Sequence, residues 1–157
     1  GLDDPKDIEN MADTTTQREI EDWIRREWIS SKFDQRFSKD TVRLTSGGIF
    51  DADAVSIDES IVACISTSGL TTSGGKPGSG KIHKIRSDLF FLLLTPSSKQ
   101  RLMVFTERDM YEFWLKEQEN GRASRDIQFL IATIPMELRE KLSHAKAKSA
   151  EEVSGKR

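Results

Sequence analysis

The order of helical and extended apolar patterns constrains this fold more than any other feature of the chain. Apolar residues recur at helical spacing between Ile20 and Trp28, which predicts an amphipathic helix ending near Ser31. Three extended segments follow, and the third is apolar enough for a central strand. The elements predicted in order are a helix at 14–31, strands at 41–46, 49–56 and 61–67, a helix at 81–95, a strand at 101–106, a helix at 107–119, a strand at 127–134 and a helix from 135.

This order indicates an α/β fold with a mixed central sheet flanked by helices. Three consecutive strands favour an antiparallel meander, whereas the later alternation of helix and strand favours parallel crossovers. A length of 157 residues favours one domain. We assign residues 14–142 to it, and we interpret the polar ends, 1–13 and 143–157, as a flexible N-terminal arm and a flexible C-terminal tail.

Composition excludes several classes of protein. A single cysteine, Cys64, excludes a disulfide framework and a four-cysteine zinc site, and it favours a reducing compartment. The longest apolar run, residues 89–94, is far shorter than the roughly 20 residues of a membrane-spanning helix. Because no charged-then-apolar leader opens the sequence, we expect no secretory signal, a cytoplasmic location and no membrane partner.

Charge is distributed in two neighbouring blocks of opposite sign. Residues 47–67 carry four acidic and no basic side chains, a net charge of −4. Residues 68–99 carry five basic side chains and one acidic one, a net charge of +4. A metal site beside a phosphate-binding surface would need such an arrangement, although solvated surfaces of a highly charged chain can produce it too.

Two aspartates in the acidic block form a candidate metal site. Asp51 and Asp53 are two residues apart on the predicted strand 49–56, so their side chains would point to the same face. Two neighbouring carboxylates repel each other unless a hard cation or a basic group lies between them. The alternative is that both lie on a solvated face, and the alternation alone does not choose between these interpretations.

A glycine-rich segment at 68–80 contains a partial phosphate-loop pattern. Residues 75–81 fit GxxxxGK, but Ile82 stands where that loop needs a serine or threonine to hold magnesium. The glycines also begin several residues after the strand ends. We therefore interpret the segment as a long loop leading into a helix, whose N-terminal N–H groups could still hold a phosphate.

The order helix, three strands, helix, strand, over about residues 15–106, resembles the αβββαβ core of the PD-(D/E)xK nucleases, the restriction-endonuclease-like fold. The remaining helix, strand and helix would form a C-terminal αβα extension. Glu19 on the first helix is similar to the helical glutamate of that family, and Asp53, which follows Gly47-Gly48, is similar to its strand aspartate. The resemblance implies Mg²⁺ held by Glu19 and Asp53 with Asp51 nearby.

The strand at 61–67 departs from that family. The usual glutamate and lysine positions hold Cys64 and Ser66, and a soft thiolate is a poor ligand for hard magnesium. Lys81, Lys84 and Asp88 on the following helix are spaced to share one side and are candidates for migrated replacements. The expected catalytic residues are then Asp53, Lys84 and Lys81.

The favoured hypothesis is a restriction-endonuclease-like domain that acts on nucleic acid, as a Mg²⁺-dependent phosphodiester hydrolase. The alternative is a non-catalytic nucleic-acid-binding or protein-interaction module on the same fold. Cys64 and Ser66 leave the enzymatic interpretation open. The choice between DNA and RNA and the presence of a homodimer stay open too. A pI of about 5.8 argues against a broad basic surface for nucleic-acid binding. If Asp53 and Lys84 lay on opposite sides of the sheet, the enzymatic interpretation would be excluded.

Overall fold

The structure, a computed structural model, describes the backbone of residues 5–71 and 78–154 and the side chains of 14–71 and 78–147. Its helices are α1 (Pro5–Trp23), α2 (Ile29–Phe33), α3 (Ser79–Leu94), α4 (Arg108–Glu119) and α5 (Met136–Ser154). Its strands are β1 (Phe37–Arg43), β2 (Ile49–Ser56), β3 (Ile61–Ser66), β4 (Gln100–Phe105) and β5 (Gln128–Ile131). The α/β class and the order of elements match the prediction.

The five strands form one mixed sheet in the order β1-β2-β3-β4-β5. β1 to β3 are antiparallel neighbours, and β3, β4 and β5 run parallel, as the meander and the two later crossovers predicted. β3 is central and every one of its residues is buried. Among the described residues, no helix is both long and apolar enough to cross a membrane.

Helices cover both faces of the sheet and enclose two apolar cores. One core joins the sheet to α3 and α4 and includes Leu89 and Trp114. The other joins it to α1, α2 and α5 and includes Ile29 and Leu142. Cys64 is buried in the first core, in the packing role of a small hydrophobic residue.

A π-helical turn, Ile24–Trp28, joins α1 to α2. The N–H of Ile29 donates to the carbonyl of Ile24, five residues earlier, so this turn holds one residue more than an α-helical turn. The extra residue places Ile29 on the same stripe as Ile20 and Ile24, and all three side chains are fully buried. The first helical segment therefore continues through this turn to Phe33 instead of ending near Ser31.

A β-bulge interrupts the regular alternation of β2. Ser38 pairs with Val55 and Asp40 pairs with Ala52, so Asp53 and Ala54 together face the single residue Lys39 on β1. Ala52 consequently lies in the core beneath α3 and α4, while Ala54 lies in the core on the other face. The expectation of strict alternation along 49–56 was wrong from Asp53 onward, because the bulge shifts the phase of the strand.

Several element boundaries differ from the predicted ones. β1 spans Phe37–Arg43 instead of 41–46. It ends at Arg43 because residues 44–48 form a turn in which the N–H of Gly47 donates to the carbonyl of Leu44. α1 begins at Pro5 and α5 reaches Ser154, so helix extends into both polar ends. These two helices pack against each other, a tertiary contact that local sequence does not show. Flexibility of the two ends stays a prediction.

Candidate active site

A cleft opens where β2 and β3 separate. The two strands pair at Ala54↔Ala63 and Val55↔Val62, next to the bulge in β2. The cleft measures about 210 Å³ and draws side chains from α1 and α3, which cover opposite faces of the sheet. It is lined by Gln17, Glu21, Asp53, Ile65, Ser66, Thr67, Ser68, Lys81, Lys84, Ile85 and Asp88.

Asp53 is held at both its backbone and its side chain. Its carboxylate Oδ2 accepts a hydrogen bond of 2.8 Å from the N–H of Ile65 on β3. Its carbonyl oxygen accepts a hydrogen bond of 2.7 Å from Nε of Arg25, which lies in the π-helical turn. The carboxylate thus bridges the separating strands and is fixed in the lining of the cleft.

α3 contributes an ion pair to the other wall. Lys84 Nζ donates to Asp88 Oδ1 at 2.8 Å, and the side chain of Asp88 is 9% exposed whereas that of Lys84 is 72% exposed. Burial and the charge of Asp53 raise the pKa of Asp88 although Lys84 opposes the shift. Burial alone would lower the pKa of Lys84, but its bond to Asp88 and the charges of Asp88 and Asp53 outweigh burial and raise it.

Glu21 approaches the cleft from α1. Its pKa is raised, first by burial and next by the negative charge of Asp53, against the opposing charges of Arg25 and Lys39. The negative charge of Asp53 therefore raises the pKa of both Glu21 and Asp88, although these two residues belong to helices on different faces of the sheet. Carboxylates whose charges raise the pKa of their neighbours favour a proton or a cation near them.

The structure gathers part of the predicted site. Asp53, Lys81 and Lys84 all line the cleft, so their side chains reach one common space where the sheet opens between β2 and β3. Glu19 and Asp51 are not among the residues that line it: Glu19 forms an ion pair with Lys141 of α5 at 3.2 Å, and Asp51 is exposed. Two residues along a helix turn a side chain by about 200°, so Glu19 and Glu21 point in different directions.

Sequence reasoning did not identify Glu21. The available signal was its spacing of four residues from Gln17, which also lines the cleft. Asp88 was named only as a neighbour of the two lysines, yet it is the most deeply buried carboxylate of the cleft.

Cys64 does not supply an anionic ligand. Burial, and after it the charges of Asp88 and Asp53, raise the pKa of the Cys64 thiol well above its usual value, so the thiol stays protonated at neutral pH. Ser66 lines the cleft without a charge. The acidic group near Cys64 and Ser66 is therefore Asp88, carried by α3.

The chemistry of the cleft carboxylates fits a hard cation, because Mg²⁺ prefers oxygen ligands. As the side chains are placed, Asp53 and Asp88 are engaged by Ile65 and Lys84. No group of three or more His, Cys, Asp or Glu side chains in the described part of the chain is arranged so that it could hold a metal ion. A cation would thus have to draw Glu21, Asp53 and Asp88 closer together.

Comparison of the chain with protein-family models, with curated proteins and with solved structures finds no match in any of the three.

Proposed function

We propose that the protein is a Mg²⁺-dependent phosphodiester hydrolase that acts on nucleic acid and has a restriction-endonuclease-like core. The observation that carries the proposal is the convergence of Asp53, Lys84, Asp88 and Glu21 on one cleft from both faces of the sheet. Acidic side chains that can bind a hard cation, beside a lysine that can orient water or a phosphate, suit metal-assisted hydrolysis of a phosphodiester. The order αβββαβ and the mixed sheet also support the proposal.

Three carboxylates would hold the metal, namely those of Glu21, Asp53 and Asp88. A bound Mg²⁺ would supply Lewis-acid polarisation of a phosphoryl oxygen and a more acidic bound water. Asp53 is already fixed by Ile65, whereas Glu21 and Asp88 have raised pKa values that a cation would lower.

The two lysines of α3 have separate roles in the proposal. Lys84 is the candidate that orients the attacking water or the reacting phosphate, since its exposed Nζ lies beside Asp88. Lys81, one turn earlier on the same helix, is exposed and contacts a backbone phosphate as a point charge. Asp88 and Lys84 on α3 thereby replace the acid and the base that Cys64 and Ser66 of β3 do not provide.

A non-catalytic nucleic-acid-binding module on the same fold is the second candidate. The observation that favours it is that β3 carries a buried cysteine, Cys64, and a serine, Ser66, where the nuclease family has its glutamate and lysine. This candidate predicts binding that weakens steeply with salt, because phosphate contacts release counterions, and no cleavage.

The test is cleavage of fluorescent single-stranded DNA, duplex DNA and single-stranded RNA with Mg²⁺ and, separately, with EDTA. We expect at least one substrate to be cut with Mg²⁺ only, and Asp53→Ala to reduce the rate at least about 100-fold. Asp51→Ala is the matched control and should keep the wild-type rate. Salt-dependent binding without cleavage would contradict the hydrolase and support the binding module; cleavage by Asp53→Ala at the wild-type rate would contradict the site.

A further inference from the structure

Arg25 is a buried cation that the proposed chemistry does not use. It lies in the π-helical turn between α1 and α2 and is only 9% exposed. A charged side chain is rarely buried unless it is paired and hydrogen-bonded. The partners of Arg25 therefore indicate what the side chain does.

The guanidinium of Arg25 joins the helix to the bulge of β2. Nε donates to the carbonyl oxygen of Asp53 at 2.7 Å, and Nη1 donates to Asp22 Oδ1 at 2.7 Å. Asp22 is 55% exposed and lies on the outer side of this arrangement. The planar guanidinium can make both bonds at once, which an ammonium group cannot do with the same geometry.

The contact falls on the residue where the β-ladder is broken. A bulge disrupts the local ladder, so its backbone makes fewer hydrogen bonds to the neighbouring strand. Arg25 provides a side-chain donor to that backbone, while the Ile65 N–H holds the carboxylate of the same residue. The π-helical turn is itself secured near Arg25, since Ser30 Oγ donates to the Arg25 carbonyl at 2.8 Å.

We propose that Arg25 is a positioning residue: through the carbonyl of Asp53 it fixes the bulge and so holds the Asp53 carboxylate in the cleft. The effect of this positioning on the reaction rate rests on the proposed hydrolase function, whereas the positioning itself does not. The Ile65 amide reports it directly, because that amide is bonded to the Asp53 carboxylate.

The experiment compares amide hydrogen exchange in the wild-type chain of 157 residues and in its variants Arg25→Met, Arg25→Lys and Asp22→Asn. In Arg25→Met we expect exchange of the Ile65 amide to accelerate roughly tenfold, as for the loss of one hydrogen bond. The Val62 amide of the same strand, which lies in the paired part of β3, should keep its wild-type rate. Arg25→Lys should show a smaller acceleration of exchange at the Ile65 amide. It replaces Arg25→Met as the test variant if Arg25→Met does not fold.

Asp22→Asn is the matched control, because it removes the negative charge of the outer partner and leaves the bond between Arg25 and Asp53. It should exchange like the wild type at both amides. Unchanged exchange at Ile65 in both Arg25 variants would overturn the proposal. Equal acceleration at Val62 and Ile65 would overturn it as well, since Arg25 would then only stabilise the sheet.

Kinetics provide the second readout. In Arg25→Met, kcat should fall about 100-fold through misplacement of Asp53, while the Kd for nucleic acid should stay within about twofold. Absence of cleavage by the wild type would refute the hydrolase and leave the Ile65 exchange test of Arg25 intact. Wild-type kcat in both Arg25 variants, with cleavage otherwise dependent on Asp53, would overturn the effect of this positioning on the reaction rate and leave the hydrolase assignment intact.

Discussion

At the scale of single residues, Asp88 illustrates a conflict between stability and the proposed site. Its carboxylate is nearly buried and its pKa is raised, first by burial and then by Asp53. A raised carboxyl pKa means that the folded state binds the proton more tightly than the unfolded state does. The stability that protonation provides is present at pH values below the unfolded pKa and is lost as the pH rises through the folded one.

Asp88→Asn should therefore stabilise the protein at pH 7, by about 1 kcal/mol, because it removes a buried charge. Lys84, which would lose its negatively charged partner, is 72% exposed and remains solvated by water. The measurement is urea unfolding of both proteins at pH 7 and pH 3. The gain in the free energy of unfolding should shrink at pH 3, where Asp88 is protonated. A variant that is less stable than the wild type at pH 7 would contradict the claim that the buried charge of Asp88 destabilises the fold.

The family resemblance, together with the spacing of acidic and basic residues, predicted part of the candidate site. Asp53, Lys81 and Lys84 were named from the sequence and share the cleft. Glu19 was named from the family resemblance, and Glu21 was not considered. Which glutamate of α1 reaches the cleft depends on the tertiary packing of α1 on the sheet and on α5. Local sequence carries no direct record of that packing.

At the scale of elements, two irregularities build the site. The bulge turns Asp53 toward β3, and the π-helical turn brings Arg25 to the carbonyl of the same residue. Neither irregularity follows from hydrophobic periodicity, which assumes constant periods of 2 and 3.6 residues. The spacing of Ile20, Ile24 and Ile29 in steps of four and five is the sequence signal that the π-helical turn leaves.

The start of α3 depends on a close backbone approach at Gly78. Its N–H donates to the carbonyl of Leu70 at 2.9 Å, and a Cβ at Gly78 would lie 2.8 Å from that carbonyl oxygen. Gly78→Ala should therefore lower the free energy of unfolding by about 1–3 kcal/mol, as overpacking does. Thermal or urea unfolding measures the change.

Gly80→Ala is the matched control for that substitution. A Cβ at Gly80 meets nothing within 4 Å, and the residue lies in the first turn of α3. Alanine should stabilise the helix there by up to about 1 kcal/mol. Equal effects of the two substitutions would contradict the close approach at Gly78.

The turn between β2 and β3 depends on Asp58. Its carboxylate accepts hydrogen bonds from the Ser60 N–H at 3.0 Å and from the Ser60 and Ser56 hydroxyls at 2.7 Å. The Ser60 N–H, followed by the two hydroxyls, lowers the pKa of Asp58 to about 2. Because the folded pKa is depressed, the stability from these bonds is present above the unfolded pKa and is lost as the pH falls toward 2.

Asp58→Asn should accordingly lower Tm at pH 7, and the difference from the wild type should narrow as the pH approaches 2. Asp51→Asn, at an exposed position of the neighbouring strand β2, provides the comparison and should leave Tm nearly unchanged. A Tm difference for Asp58→Asn that is independent of pH would contradict the role of the carboxylate.

At the scale of the whole molecule, the cleft exists because the sheet separates between β2 and β3. α1 and α3 lie on opposite faces, so their side chains meet only where the sheet opens. The element order and the central position of β3 were predictable because long apolar and periodic segments dominate local sequence. The separation of β2 from β3 was not predictable, because it depends on how far along their length the two strands remain paired.

The central claim is that residues from both faces form one hydrolytic site. The most direct test is the single-turnover cleavage rate, with Mg²⁺, of Glu21→Gln and Glu19→Gln, which change the same side chain two residues apart on α1. We predict that Glu21→Gln cuts about 100-fold more slowly than the wild type and that Glu19→Gln stays within about twofold. Equal rates for the two variants, or a selective loss in Glu19→Gln, would contradict the account.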